Sequence, residues 1–232
     1  MLKPWQVKSW CLPKPGANFV AKMEDVLEVY ARPYNPKRPV VCVDEASKEL
    51  RATPHGTLPA QPAQPARQDY QYERQGTANI FLAVEPLAGR RAAQVTERRT
   101  AIDFAHFVRF VADDIYPDAE VIVLVTDNLN THKIASFYEA FAPQEARRLA
   151  QRFEWHYTPE HGSWLNMAEI EFSVLQKQAL GTRLTRPQVE HAVQLWQDNR
   201  NANTARINWH FTTNDARTKL RRLYPTLSSP DV

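Results

Sequence analysis

Val121-Ile-Val-Leu-Val-Thr-Asp127-Asn-Leu-Asn-Thr-His132 sets a wholly apolar run against an acidic, amide-rich turn. A short, continuous, β-branched run bounded by turn residues reads as a strand buried on both faces. The same pattern stands upstream in Val40-Val-Cys-Val-Asp44, opened by Pro39 and closed by Asp44. In open α/β sheets, functional groups collect at the carboxyl ends of neighbouring strands. Two carboxylates placed side by side repel, so a fold that pairs them neutralises them with a divalent cation on oxygen ligands, which suits phosphoryl chemistry.

Outward from these two runs, Ala78 to Val84 and Arg91 to Thr96 read as strands joined around Pro86 and Gly89 in a hairpin. Thr100-Ala-Ile-Asp103 opens a helix in the manner of a capping box. Helices are expected over His132 to Phe141, Pro143 to Phe153 and Asn166 to Ala179, with a short strand at Trp155 to Tyr157. Two further helical pieces lie near Arg186–Arg200 and Asn214–Tyr224. Early strands followed by alternating helix and strand give an α/β chain whose mixed sheet carries helices on both faces. Three regions are expected. Residues 1–38, with Pro4, Pro13, Pro15, Pro33 and Pro36 around one helical stretch from Ala17 to Tyr30, read as an N-terminal arm or linker. Residues 39–180 are expected to form the sheet-bearing domain, interrupted by a proline-rich exposed loop over 52–66, and residues 181–232 a basic helical C-terminal extension.

The 232-residue length suits one globular domain with a small appendage, and 43% hydrophobic with 24% charged residues excludes collagen-like, coiled-coil and wholly disordered classes. No apolar run approaches the roughly 20 residues of a membrane span. Lys3, Pro4 and Lys8 interrupt the place of an export signal, so a cytoplasmic location is expected. Cys11 and Cys42 provide neither a disulfide framework nor a zinc spacing. The net charge of +3 is uneven: nine Lys/Arg against four Asp/Glu from Phe172 to Val232 point that end toward a polyanion, with a solvated helix face as the competing reading.

A third acid is expected from His156-Tyr-Thr-Pro-Glu-His-Gly-Ser-Trp-Leu-Asn-Met-Ala-Glu169-Ile-Glu171, where a strand turns through Pro159 and Gly162 into a helix. Glu169 and Glu171 differ by about 200° around that helix, so one of them can face a given site. Met167, Ile170 and Val174 form an apolar stripe on which Glu171 sits, and periodicity leaves the choice open.

V-C-V-D at Asp44, V-T-D-N-L-N-T-H at Asp127 and H-G-S-W-L-N-M-A-E at Glu169 together resemble the DDE transposases of the mariner superfamily, in the bacterial insertion-sequence branch. The resemblance runs from about Val40 to Tyr224 and includes Y-E-R-Q-G-T-A-N around Gly76 and the terminal D-A-R-T-K-L-R-R-L-Y-P. It implies a ribonuclease-H-like fold with a mixed five-stranded sheet. It also implies a third acid within L-N-x-x-E, here Leu165, Asn166 and Glu169, which selects Glu169. Asp44, Asp127 and Glu169 would then hold two Mg²⁺ or Mn²⁺ ions roughly 3.5–4 Å apart for phosphodiester cleavage and strand transfer. The partners implied are DNA, as element ends and as target, and further copies of the chain in a homodimer or larger synapse, in the cytoplasm and on the nucleoid. Two departures stand out: Glu160 replaces a lysine common in the branch, and the chain begins too late to carry the usual helix-turn-helix region. A catalytically inactive remnant or regulator that binds DNA or full-length transposase is the alternative, with another nuclease of the same fold behind it.

Asn128, His132 and Asn166 are candidate supports of the acids. Arg183, Arg186, Arg217, Lys219, Arg221 and Arg222 are candidate phosphate contacts, and Trp164 a candidate base-stacking platform against an ordinary packing role. His156 and His161, without a nearby cysteine, do not read as a zinc site.

Overall fold

The apolar runs at Val41 and Leu124 are hydrogen-bonded neighbours inside the sheet, covered on both faces, which is why neither alternates in polarity. The computed structural model describes residues 16–54 and 56–226; Lys3, Pro4, Lys8, Cys11 and the first part of the expected arm lie outside them. In chain order the elements are α1 (Ala17–Tyr30), β1 (Val40–Ala52), the short strands β2 (Thr57–Leu58) and β3 (Arg67–Gln68), β4 (Glu73–Glu85), β5 (Arg90–Thr96) and α2 (Ala101–Phe110). They continue with β6 (Ile122–Thr126), α3 (Ala135–Ala140), α4 (Pro143–Arg152), β7 (Phe153–Tyr157), α5 (Met167–Gln178), α6 (Arg186–Ala202) and α7 (Thr213–Lys219). The main sheet has the order β5-β4-β1-β6-β7, with β1, β6 and β7 parallel and the β4–β5 hairpin antiparallel. This is the mixed five-stranded α/β sheet expected.

Alternation along each strand feeds two cores. Cys42 and Leu50 of β1 join Met23, Leu27, Leu175 and Trp196 on the side of α1, α5 and α6. Val41 and Val43 join Phe104, Phe107, Phe137 and Leu149 on the side of α2, α3 and α4. Burial pushes the Cys42 thiol up to about 12, so it is inert packing.

Three expectations are corrected. The first central strand does not end at Asp44; it runs on to Ala52 against β4, while its pairing with β6 stops at Cys42. Its outer half is polar and carries no apolar run, so composition hid it. The helix Ala17–Tyr30 is core rather than arm, with Met23, Val26, Leu27 and Val29 buried. Its flanking prolines mark the ends of a packed helix. The C-terminal segment is likewise integral, since Val189, Val193, Trp196 and Ala216 join the same core. Two side chains of α6 also satisfy the β5 edge that would otherwise stand unpaired: Arg91 N donates to Asn201 Oδ1 at 2.8 Å, Ala93 N donates to Gln197 Oε1 at 2.6 Å, and Asn201 Nδ2 donates to Arg91 O at 2.9 Å.

The hairpin turn depends on one glycine. Gly89 has φ +70, its N donates to Glu85 O at 2.9 Å, and a Cβ there would fall 2.7 Å from the Thr204 carbonyl carbon. Gly89→Ala is therefore expected to cost on the order of 1–3 kcal/mol through left-handed strain and backbone collision. At ~2–4 °C per kcal/mol for a chain of this size, that is a fall of several degrees in a thermal melt. A variant melting with the parent would mean that the segment after α6 is not seated against this turn.

Candidate active site

The register that pairs Val41 with Leu124 and Cys42 with Val125, carried two residues further, sets Asp44 beside Asp127. Beyond that point β1 stays with β4, and the chain leaves β6 in a turn closed by Leu129 N donating to Asp127 Oδ1 at 3.2 Å. Asp44 is 7% exposed; it accepts from Glu45 N at 2.9 Å and from Asn166 Nδ2 at 3.2 Å. Burial, then the charge of Glu169 and more weakly that of Asp127, push the Asp44 carboxyl up to about 7, against the Glu45 amide, which favours the ionised form.

Asn166 is fully buried and does two things at once. Its Oδ1 accepts from Ala168 N at 3.1 Å as the N-cap of α5, while its Nδ2 reaches Val43 O at 2.9 Å as well as Asp44. One amide thus starts the helix that carries Glu169 and holds that helix to the strand that carries Asp44.

Glu169, in the first turn of α5, stands on the side of the aspartates, and burial followed by the charge of Asp127 raises its pKa. Glu171 turns the other way and is 1% exposed. It receives Arg91 through Nε at 3.0 Å and Nη2 at 2.8 Å, and Arg200 through Nε at 3.2 Å and through Nη2. The buried face of α5 is Met167, Ala168, Glu171 and Leu175, so Ile170, expected in the apolar stripe, lies outside it at 40% exposed.

His132 is buried behind Asp127 and stacks on Phe104 at 4.3 Å. Its Nδ1 meets Asp127 Oδ1 and lies 3.2 Å from Thr126 Oγ1, while Nε2 stands 2.8 Å from Glu45 Oε2. Burial opposes its charge, but the two carboxylates outweigh that and hold its pKa up at about 9. The segment His132–Ile134, expected as the start of a helix, is a turn, and α3 starts at Ala135. Glu45 was not anticipated as a partner. Only the alternation of β1, which sends it toward Phe104, could have signalled it. Asn128 is exposed and makes no hydrogen bond among the described residues.

The donor set formed by Asp44, Asp127 and Glu169 is all carboxylate oxygen, and among the described residues neither Asp44 nor Glu169 has an ion-pair partner. For Asp44 and Glu169, repulsion without an internal cation is the electrostatic setting that a hard divalent ion relieves, while Asp127 alone is met by His132. Among the described residues no three His, Cys, Asp or Glu groups stand close enough together to hold a metal ion as they are. His156 is engaged with Asp25 at 2.7 Å and Glu154 at 2.9 Å, tying β7 to α1.

The basic candidates are mostly committed within the chain. Arg183 donates to Asp69 O at 2.6 Å, Gln71 O at 2.8 Å and Tyr70 O at 3.2 Å, pinning the far end of the proline-rich insertion. Arg217 forms a two-point contact with Glu24, Lys219 pairs with Asp215 at 2.7 Å, and Arg186 lies 3.6 Å from Glu190. Arg221 and Arg222 are exposed. Trp164 stacks on Trp209 with ring centroids at 6.5 Å and meets Phe211 edge-on at 5.9 Å, so the structure supplies packing partners for the ring proposed as a base platform. Among the described residues no helix is long and apolar enough to cross a membrane.

A family model described as DDE superfamily endonuclease matches residues 39–190. Comparison with curated proteins gives no match. Among solved structures, a pre-cleavage Mos1 transpososome is similar with a TM-score of 0.55 at 12% identity, covering 98% of this chain and 69% of that one. A Mos1 transposase paired-end complex with the left transposon end has a TM-score of 0.51 at 14% identity, covering 96% and 65%. A Mos1 mariner paired-end complex with Mn has a TM-score of 0.50 at 16% identity, covering 88% and 60%. At such identities the likeness establishes the fold, and the chain spans 65% of the length of the paired-end protein. With the family model extending from the start of β1 into α6, across Asp44, Asp127 and Glu169, the chain belongs to the DDE superfamily endonucleases.

Proposed function

We propose that the chain is the catalytic part of a transposase, cutting DNA at the ends of an insertion sequence and joining those ends to a target, with Asp44, Asp127 and Glu169 as its metal-holding carboxylates. One observation carries this reading. Acids from β1, from the turn after β6 and from α5 come within electrostatic reach of one another, and two of them lack any ion-pair partner among the described residues. The Mos1 complexes with a transposon end and with Mn support the choice of DNA and of a divalent metal.

Two Mg²⁺ or Mn²⁺ ions are the cofactors proposed; when bound they would polarise the scissile phosphate and make a water or 3′-hydroxyl acidic enough to attack. The chain's own groups prepare the site. His132 holds one oxygen of Asp127 from behind, and among the described residues the other oxygen accepts no hydrogen bond. Asn166 fixes Asp44 relative to the start of α5, and hence to Glu169. No covalent protein nucleophile is part of the reading. DNA ends and target as partners, assembly as a dimer or larger synapse, and work in the cytoplasm on the nucleoid belong to the same proposal.

The test is nicking of a supercoiled plasmid bearing the terminal inverted repeats of the element, with Mn²⁺. Asp127→Asn is expected to abolish nicking while the variant remains folded by circular dichroism. Unchanged nicking by the folded variant would sink the assignment. A parent chain that neither nicks nor gains thermal stability with Mn²⁺ would favour the inactive remnant or regulator.

A further inference from the structure

A groove between α5 and the outer half of β1 leads away from the candidate acids. It opens at Glu169, passes Ser173 and Lys177 on the helix and Lys48 on the strand, and has an apolar floor that includes Ile80 and Leu180, enclosing about 350 Å³. Positions 169, 173 and 177 are successive turns of one helix face, so the groove follows α5 for ~12 Å.

Its far end is cationic. Lys48 Nζ donates to Leu180 O and to Thr182 O, which fixes that charge in the wall. Lys177 is exposed and makes no ion pair or hydrogen bond among the described residues. The nearest acid on β1, Glu49, is already taken by Arg51 at 2.6 Å and Arg74 at 2.7 Å. Past Lys48 the groove meets a polar cavity of about 430 Å³ beside Arg51 and Arg183. One end therefore stands at the acids and the other at fixed positive charge.

A phosphodiester held at Asp44, Asp127 and Glu169 brings its neighbouring phosphates with it. Phosphates of a stacked, B-form strand repeat every ~3.4 Å along the axis, so ~12 Å spans at most three to four nucleotides, and fewer of an extended strand. A groove of about 350 Å³ is too small to enclose a duplex and takes a strand only in part. Its apolar floor suits bases or sugars, and its lysines suit phosphates.

We propose that this groove seats a single-stranded DNA segment adjoining the cleaved phosphate, with Lys177 and Lys48 facing its phosphates. The proposal rests on the transposase reading for the position of the scissile phosphate. It predicts that strand separation next to the cut strengthens binding, because a closed duplex cannot enter.

The test is fluorescence anisotropy with the full chain in EDTA, using a labelled duplex that carries a six-nucleotide single-stranded overhang and a blunt duplex of equal length. The parent is expected to bind the overhang probe more tightly. Lys177→Glu should weaken that probe about ten-fold and lower its salt slope by about one, leaving the blunt probe little changed. Ser173→Trp, which fills the groove from an exposed helix position, should cause the same selective loss, and Arg147→Glu on α4 should cause none. Equal effects on both probes, or no effect on either, would overturn the proposal. Binding is read without metal, so these outcomes are independent of nicking. A chain that fails to nick yet shows the selective loss retains the groove and loses the transposase reading; one that nicks without the selective loss does the reverse.

Discussion

Glu171→Gln is expected to be the most destabilising single change near the candidate site, lowering the thermal midpoint by roughly 10 °C. Arg91 and Glu171 are essentially inaccessible, at 0% and 1% side-chain exposure, and meet through two hydrogen bonds. Removing one charge of a buried pair strands the other, which costs about 3–5 kcal/mol. At ~2–4 °C per kcal/mol this is a large part of the margin of an ordinary domain. Arg200 also loses its partner, but at 22% exposure it can turn to water. The stranded group is Arg91, packed between β5 and α5. The double variant Arg91→Met, Glu171→Leu should recover most of the loss, since replacing a buried pair with apolar groups of similar volume is often neutral or stabilising. Glu169→Gln, two residues away, should behave in the opposite way, with the fold retained and nicking lost. A urea or thermal midpoint for Glu171→Gln equal to the parent's would show that the buried pair is not closed in solution.

The contrast between these two glutamates shows what was legible in the sequence. The spacing of 169 and 171 establishes that they face different ways, but a buried glutamate on an apolar stripe looks identical whether it serves a metal or a structural arginine. The partner that decides it, Arg91, lies 80 residues away on a β-hairpin. Apolar continuity revealed β1 and β6 because a strand covered on both faces must be apolar throughout. It missed residues 45–52 because the outer half of β1 leaves β6 and becomes polar. For the same reason the strand's one-sided groove, with Lys48 in it, was invisible. Proline counting misplaced α1, whose core role depends on contacts such as Tyr30 Oη donating to Leu165 O at 2.6 Å. His132 was legible as a neighbour of Asp127 in the chain. Its second carboxylate, Glu45, comes from a different strand and required the sheet register.

Asp44→Asn is expected to stabilise the metal-free chain and to destabilise it, relative to the parent, once Mn²⁺ is present. Asp44 is buried with its carboxyl pushed up to about 7, so at neutral or higher pH the folded chain carries a carboxylate that the unfolded chain holds more cheaply. A shift from 3.8 to about 7 corresponds to a ceiling of about 4 kcal/mol, of which roughly 1–3 kcal/mol should survive relaxation of the site. Between those two values the folded state binds a proton that the unfolded state has lost. The parent's stability should therefore fall as pH rises from about 4 to about 7 and level off above, with this contribution absent in the variant. The gain from Asp44→Asn is accordingly largest near pH 8 and vanishes near pH 4. Asparagine's one oxygen keeps the bond from Glu45 N, while its amide nitrogen cannot accept from Asn166 Nδ2, so one local hydrogen bond is lost and Asn166 retains Val43 O. Under the proposed function Mn²⁺ reverses the order. A ligand at a hundred times its dissociation constant adds ~2.7 kcal/mol to the state that binds it, and the variant, short of one carboxylate, should gain much less. Thermal midpoints of parent and variant with EDTA and with Mn²⁺ at pH 8 should then cross. Parallel responses to Mn²⁺ would remove Asp44 from the metal site, and an unstabilised variant in EDTA would show that the acids do not repel one another in the folded chain.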